Sequence, residues 1–133
     1  MGNVAYTAVI LDSTSREKLR QEFNSWSGAF PNGWEWIAHH MTIKFGAPLT
    51  PSKRNELLGK KVTLKIVKLG MDNMACAIEV TGCYSENKIP HITLAVNKGG
   101  GGKPVMSNRI GINDWKPYTV DFVLTGTIQE IEN

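Results

Sequence analysis

The sequence is poor in the residues that build metal cages and cross-links. Its 133 residues include two cysteines and three histidines, and Cys76 and Cys83 do not stand at a metal-binding spacing. Cys76 alternates with Met74, Ile78 and Val80, the pattern of a buried apolar residue in a strand rather than of a disulfide half. Long hydrophobic runs are also missing: nothing approaches the roughly 20 apolar residues of a membrane span. The first residues read straight into a strand, so no signal segment is expected and a reducing cytoplasm is the expected location. Charge of one sign is lacking too, since 15 Lys and Arg against 12 Asp and Glu leave a net charge of +3. That balance suits an anionic ligand but is too weak to hold duplex nucleic acid. With 41% hydrophobic and 20% charged residues, the chain reads as one globular domain over residues 1–133.

What is present is mostly strand. Tyr6 to Leu11 is a β-branched, apolar run. Thr14-Ser15-Arg16-Glu17 has the form of a capping box, after which Leu19, Phe23 and Trp26 share one helical face. Pro31-Asn32-Gly33 marks a turn. Trp34 to Phe45 predicts one long strand with Ile37, Met41, Ile43 and Phe45 toward the core. Pro48 to Gly59 predicts a short helix ended by Gly59. Val62, Leu64 and Ile66 alternate with Thr63 and Lys65, and Met74 to Val80 is the expected antiparallel neighbour. Ile89 to Asn97 is a further strand. Lys98 to Lys103 holds four consecutive glycines, the composition of a mobile loop. Val120 to Ile131 closes the chain as a strand. The fold class is α+β, with about two helices and more strand than helix.

Two of the three histidines occupy matched positions: His40-Met41-Thr42-Ile43 and His91-Ile92-Thr93-Leu94. Strand side chains alternate between faces, so each motif buries its apolar pair and presents His and Thr together. Such a face builds a cleft rather than a core. Across one cleft, one imidazole can accept a proton from an attacking oxygen while the other donates to a leaving oxygen, because an unperturbed pKa of about 6.5 suits both roles. Each threonine lies about 7 Å along its strand, where its hydroxyl can donate to a phosphate oxygen. This set supports phosphodiester cleavage with no metal and no cofactor. A zinc site is the rival reading. His39 and His40 point to opposite faces in a regular strand, however, and no His–carboxylate cluster accompanies them. His39 then reads as a histidine on the packed side.

The pairs His40-x-Thr42 and His91-x-Thr93, each flanked by apolar residues, resemble the signature of the 2H phosphoesterase superfamily. That resemblance implies a bilobal α+β fold of mostly antiparallel sheets, with the motifs facing one another across a central cleft. It makes His40, Thr42, His91 and Thr93 the expected catalytic residues. Ala38 to Ile43, Ile89 to Asn97, and the Gly-Gly-Lys103-Pro-Val-Met-Ser-Asn108 that follows look like the phage anti-CBASS branch. Members of that branch hydrolyse 3′,5′-linked cyclic di- and trinucleotide messengers of bacterial immunity, in the host cytoplasm. Further expected contacts follow from side-chain type. Lys44 continues the His40–Thr42 face toward phosphate. Tyr6 and Trp115 are candidate base-stacking rings. Lys103, Ser107 and Asn108 are candidates for phosphate or ribose. Trp34 and Trp36 share the parity of His40, as a cleft wall or as packing. The alternatives are a 2′,3′-cyclic phosphodiesterase acting on RNA ends, and an idle protein that only sequesters a cyclic nucleotide.

Overall fold

A computed structural model describes residues 3–24 and 33–132; Trp26 and the start of the Pro31-Asn32-Gly33 turn lie outside them. The element order is β1 (Val4–Leu11), α1 (Ser13–Asn24), β2 (Trp34–Trp36), β3 (His40–Phe45), α2 (Pro51–Leu57), β4 (Lys61–Met71), β5 (Ala75–Thr81), β6 (His91–Asn97), β7 (Trp115–Pro117) and β8 (Leu124–Glu132). Short 3-10 turns cover Lys98–Gly100, Pro104–Arg109 and Ile112–Asp114. The class is α+β, and every strand pairing among the described residues is antiparallel. No described helix is long and apolar enough to cross a membrane.

The sheet runs β2-β6-β3-β1-β8-β4-β5, and β5 pairs back onto β6, so the strands close into a ring. One link in that ring is thin: β3 meets β6 through the single pair Met41–Ile92. Both side chains are fully buried, as are Ile43 and Leu94 on the same faces. Helix α1 covers this side with Leu19 and Phe23, joined by Val9, Leu64, Ile66, Leu124 and Ile128. Each fully buried aliphatic chain contributes about 1.5–3 kcal/mol from leaving water. The seam is therefore fastened from the core side and opens on the other.

Several local readings change. Asp12, not Thr14, caps α1: its Oδ1 accepts from the Ser15 amide at 2.8 Å, and its Oδ2 accepts a very short hydrogen bond from the Thr125 hydroxyl. The cap lies upstream of the capping box because the bond to β8 anchors it there. The long strand expected over Trp34–Phe45 is broken between Trp36 and His40, where Ala38 takes φ +46°. That left-handed residue resets the alternation of faces. Trp34 and Trp36 consequently pack against the core, and Ile37 reaches the cleft instead.

A bulge between β1 and β3 causes two further corrections. Thr7 pairs with Lys44, yet Ala8 pairs with Thr42, leaving Ile43 as the extra residue on β3. The extra residue reverses the faces beyond it. Phe45, expected in the core, shares the cleft face with its cross-strand partner Tyr6 and is 74% exposed. Lys44, expected beside Thr42, turns off that face and pairs with Glu86 at 3.8 Å.

The glycine stretch is not a loose lid. The Asn97 side chain accepts from the Gly100 amide at 3.1 Å, the Gly99 amide donates to Gly33, and the Gly102 amide donates to Asn97 at 2.7 Å. Trp115, expected as a base-stacking ring, begins β7 and is buried against Gly70, where a Cβ atom would stand 2.5 Å from the indole. Cys76 and Cys83 are both free thiols, Cys76 buried. We expect Gly70→Ala to destabilise the protein by about 1–3 kcal/mol through overpacking, with a shift in tryptophan fluorescence. An unchanged denaturant midpoint and spectrum would show that the indole does not rest on that glycine.

Candidate functional site

On the open side of the β3–β6 seam lies a cleft of about 480 Å³. His40 and Thr42 reach it from β3, His91 and Thr93 from β6, and Tyr6 from β1. Because the strands are antiparallel about Met41–Ile92, the same register sets His40 opposite Thr93 and Thr42 opposite His91. The two motifs are thus related by a local two-fold, each histidine facing the other's threonine. Ile37, Pro104 and Val105 supply apolar wall, Phe45 the exposed mouth, and Asn87 and Asn108 amides. Among the described residues, neither a carboxylate nor a lysine or arginine belongs to this lining. The described lining is uncharged and mainly apolar, with a few hydrogen-bonding side chains set into it.

The two histidines have different supports. His91 is buried, with its Nδ1 2.7 Å from the Ile89 carbonyl oxygen. A carbonyl only accepts, so His91 Nδ1 carries the hydrogen and Nε2 of the neutral ring is left as an acceptor. His40 stands under the Tyr6 ring, with centroids 4.9 Å apart and planes inclined by 22°. Its Nδ1 lies 3.0 Å from Nδ1 of His39. His39 is therefore not on the packed side: the Ala38 kink swings it beside His40, where the two rings meet edge to face at 81°. Sequence parity missed this contact because parity assumes an unbroken strand.

The threonines are also unequal. Thr93 Oγ1 lies 2.8 Å from Oγ of Ser107, the one buried residue of the 3-10 turn that follows the glycines, and 3.4 Å from the Pro104 carbonyl. The Thr42 hydroxyl has no hydrogen bond among the described residues, although its backbone carbonyl accepts from Ser85 at 2.8 Å. Of the other expected contacts, Tyr6 and Asn108 line the cleft. Ser107 supports Thr93 from behind. Lys103 is exposed at the start of its 3-10 turn and does not line the cleft, because that turn presents Pro104 and Val105 instead. Trp115 lies behind His91, ring centroids 6.4 Å apart. It backs the histidine rather than offering a free stacking face. Phe45 is the exposed ring that the sequence reading placed elsewhere.

Burial pushes the imidazole of His40 down to about 4, aided by the like charges of His39 and His91. Burial also lowers His91, partly offset by its bond to Ile89, and lowers His39, with Arg16 adding to the effect. All three rings are therefore predominantly neutral at pH 7. An anion seated between His40 and His91 reverses the balance by favouring imidazolium. Among the described residues no three His, Cys, Asp or Glu side chains gather as a metal-binding group.

These shifts have a consequence for stability. A histidine lowered in the folded state binds its proton more readily when unfolded, so stability rises with pH across the interval between the two values. For His40 that interval runs from about 4 to the ordinary 6.5, with a limiting slope of about 1.4 kcal/mol per pH unit for each such group. We expect His40→Asn to flatten the acid side of the stability curve, measured by urea unfolding at several pH values. An identical slope in that variant would place the acid sensitivity elsewhere.

Comparison with known proteins finds no matching family model and no matching curated protein.

Proposed function

We propose that this chain is a metal-independent phosphodiesterase of the 2H phosphoesterase type. The observation that carries the reading is the antiparallel placement of His40-x-Thr42 and His91-x-Thr93 across one cleft, about the Met41–Ile92 pair. His91, whose tautomer leaves Nε2 as an acceptor, takes the proton from the attacking hydroxyl or water. His40 takes up a proton as the anionic phosphate enters and delivers it to the leaving oxygen. The Thr42 hydroxyl donates to a nonbridging oxygen. Thr93 does the same once Ser107 supplies the hydrogen in their shared bond. Charge developing on phosphorus is met by hydroxyls, imidazolium and the Asn87 and Asn108 amides, with no carboxylate among the described lining residues to oppose it.

The substrate class that fits is a 3′,5′-linked cyclic di- or trinucleotide, as in the phage anti-CBASS branch. A cleft of about 480 Å³ falls within the range of small-ligand sites. Among the described residues its lining lacks the basic track that a long RNA favours. Phe45 and Val105, 74% and 54% exposed at the mouth, offer apolar surface on which bases can lie. Phe45 takes the stacking role first given to Trp115, and Lys44 and Lys103 leave the set of phosphate contacts. Hydrolysis of such a messenger in the cytoplasm would silence the defence it activates.

Turnover should persist in excess EDTA when the protein is given a panel of cyclic dinucleotides, cyclic trinucleotides and 2′,3′-cyclic nucleotides, followed by chromatography. Activity lost to the chelator and restored by zinc or manganese would refute the mechanism. Cleavage of only the 2′,3′-cyclic nucleotides would make it an RNA-end enzyme, and binding without products would make it a sequestering protein. Single His40→Ala and His91→Ala variants should each lower kcat by about 10²–10⁴, with binding little changed. Phe45→Ala should weaken binding of the cleaved nucleotide by ~1–3 kcal/mol. An unaltered Kd in calorimetry would remove Phe45 from the binding surface.

A further inference from the structure

A second cavity, of about 210 Å³, adjoins the cleft. His91 and Asn108 line both, so the two spaces meet across that pair of side chains. The same two stretches of chain wall them. Asn87 reaches the cleft and Lys88 the second cavity, just as Pro104 and Val105 reach the cleft and Ile110 and Ile112 the second cavity. Trp115, buried behind His91, belongs to the second wall. The hydrolytic chemistry of the four motif side chains makes no use of this space.

The two cavities differ in charge. The described lining of the cleft is uncharged, whereas Lys88 brings an ammonium to the second cavity, with no carboxylate in its described lining. Lys88 is exposed and has no ion-pair partner among the described residues. The chain beside it is fixed: the Ile89 carbonyl accepts from His91 Nδ1 at 2.7 Å, and the Pro90 carbonyl accepts from the Val80 amide at 3.0 Å. Two other polar groups are already engaged. The Ser107 hydroxyl is shared with Thr93, and Asn108 Nδ2 donates to the Val105 carbonyl at 3.3 Å. That bond fixes the Asn108 amide and leaves its second N–H to give. On offer are therefore one ammonium and one amide N–H, beside an apolar wall of Ile110, Ile112 and Trp115. Such a wall gives nothing to a small hydrated anion. It suits a phosphate carried on a nucleoside.

We infer that this cavity is a second phosphate subsite, where Lys88 and Asn108 hold the uncut phosphodiester of the same cyclic nucleotide whose other phosphodiester lies among the motif side chains. In a 3′,5′-linked cyclic di- or trinucleotide each phosphate is joined to the next through one ribose, so seating one beside His91 carries its neighbour along the shared wall. There the ammonium supplies a charge-assisted hydrogen bond that the uncharged cleft lacks. A 2′,3′-cyclic mononucleotide has a single phosphate and gains nothing from Lys88. The subsite thus selects substrates with more than one phosphate. The inference rests on the reading of the cleft as a phosphodiesterase site, although filling of the second cavity can be measured without turnover.

The test titrates the full chain with adenosine and guanosine 3′,5′-bisphosphates and with the matching 3′-monophosphates, followed by calorimetry and by ¹H–¹⁵N spectra. Trp115 Nε1 has no hydrogen-bond partner among the described residues, so its N–H resonance reports on the second cavity, while the His40 and His91 rings report on the cleft. A bisphosphate should bind about tenfold more tightly than its monophosphate, and it alone should move the Trp115 resonance. Lys88→Gln should abolish that advantage. Lys103→Gln, an equal loss of charge outside both linings, should keep it. If a cyclic dinucleotide is cleaved, its KM should rise about tenfold in Lys88→Gln, with no matching rise for a 2′,3′-cyclic mononucleotide. Bisphosphates that bind no better than monophosphates, or an advantage that survives Lys88→Gln, overturn the subsite and leave the phosphodiesterase reading standing wherever cleavage still needs His40 and His91. Lys88-dependent shifts at Trp115 in a protein that cleaves none of the nucleotides uphold the phosphate site and reject the phosphodiesterase reading.

Discussion

The structure depends on one place where two strands barely touch. β3 and β6 share only the Met41–Ile92 pair, and those side chains are sealed in the core. A fuller ladder would draw the strands together and close the space between the motifs. A missing contact would leave the ring of strands open and the histidines without a common frame. Burial of Met41, Ile43, Ile92 and Leu94 in the core they share with Leu19 and Phe23 of α1 holds the seam from one side and leaves the other side to the cleft. The polar residues gain their geometry from apolar neighbours one position away.

That arrangement creates a second demand. Imidazoles and hydroxyls near the core need partners, because an unpaired buried polar group is expensive. The fold supplies them to three of the four motif side chains from irregular segments: Ile89 O for His91, Ser107 of the Pro104–Arg109 turn for Thr93, and His39 beside the Ala38 kink for His40. Gly70 serves packing instead: its missing side chain lets Trp115 lie closely behind His91. The regular strands place the four motif side chains, and the irregular segments orient them.

Much of this was legible from residue order, for a physical reason. Alternation is a property of any extended chain, so the split of Met41 and Ile43 from His40 and Thr42 follows wherever the strand remains regular. It follows equally at His91 to Leu94, and the β4–β5 pairing is visible in Val62, Leu64, Ile66 and their neighbours. The misreadings all sit where regularity stops. The bulge at Ile43 exchanged Phe45 and Lys44 between faces. The Ala38 kink sent Trp34 and Trp36 to the core and His39 to the cleft histidine. Asp12 displaced Thr14 as the cap because its second oxygen meets Thr125, a partner on the last strand that no local window contains. The glycine stretch looked loose because its composition is permissive, whereas its hydrogen bonds go to Gly33 and Asn97.

The sequence by itself determined which residue types meet on a strand face: two His–Thr pairs, their apolar backing, and a charge too mild for a long polyanion. It does so because side-chain alternation needs only φ and ψ in the extended region. Tertiary structure alone decided that the two motifs run antiparallel across one cleft, that His39 touches His40, and that Phe45 rather than Trp115 stands at the mouth. Those facts depend on strand pairing between distant segments, on one extra residue in β3, and on one left-handed alanine held by Arg16. Each is a contact between parts of the chain that local propensity treats as independent.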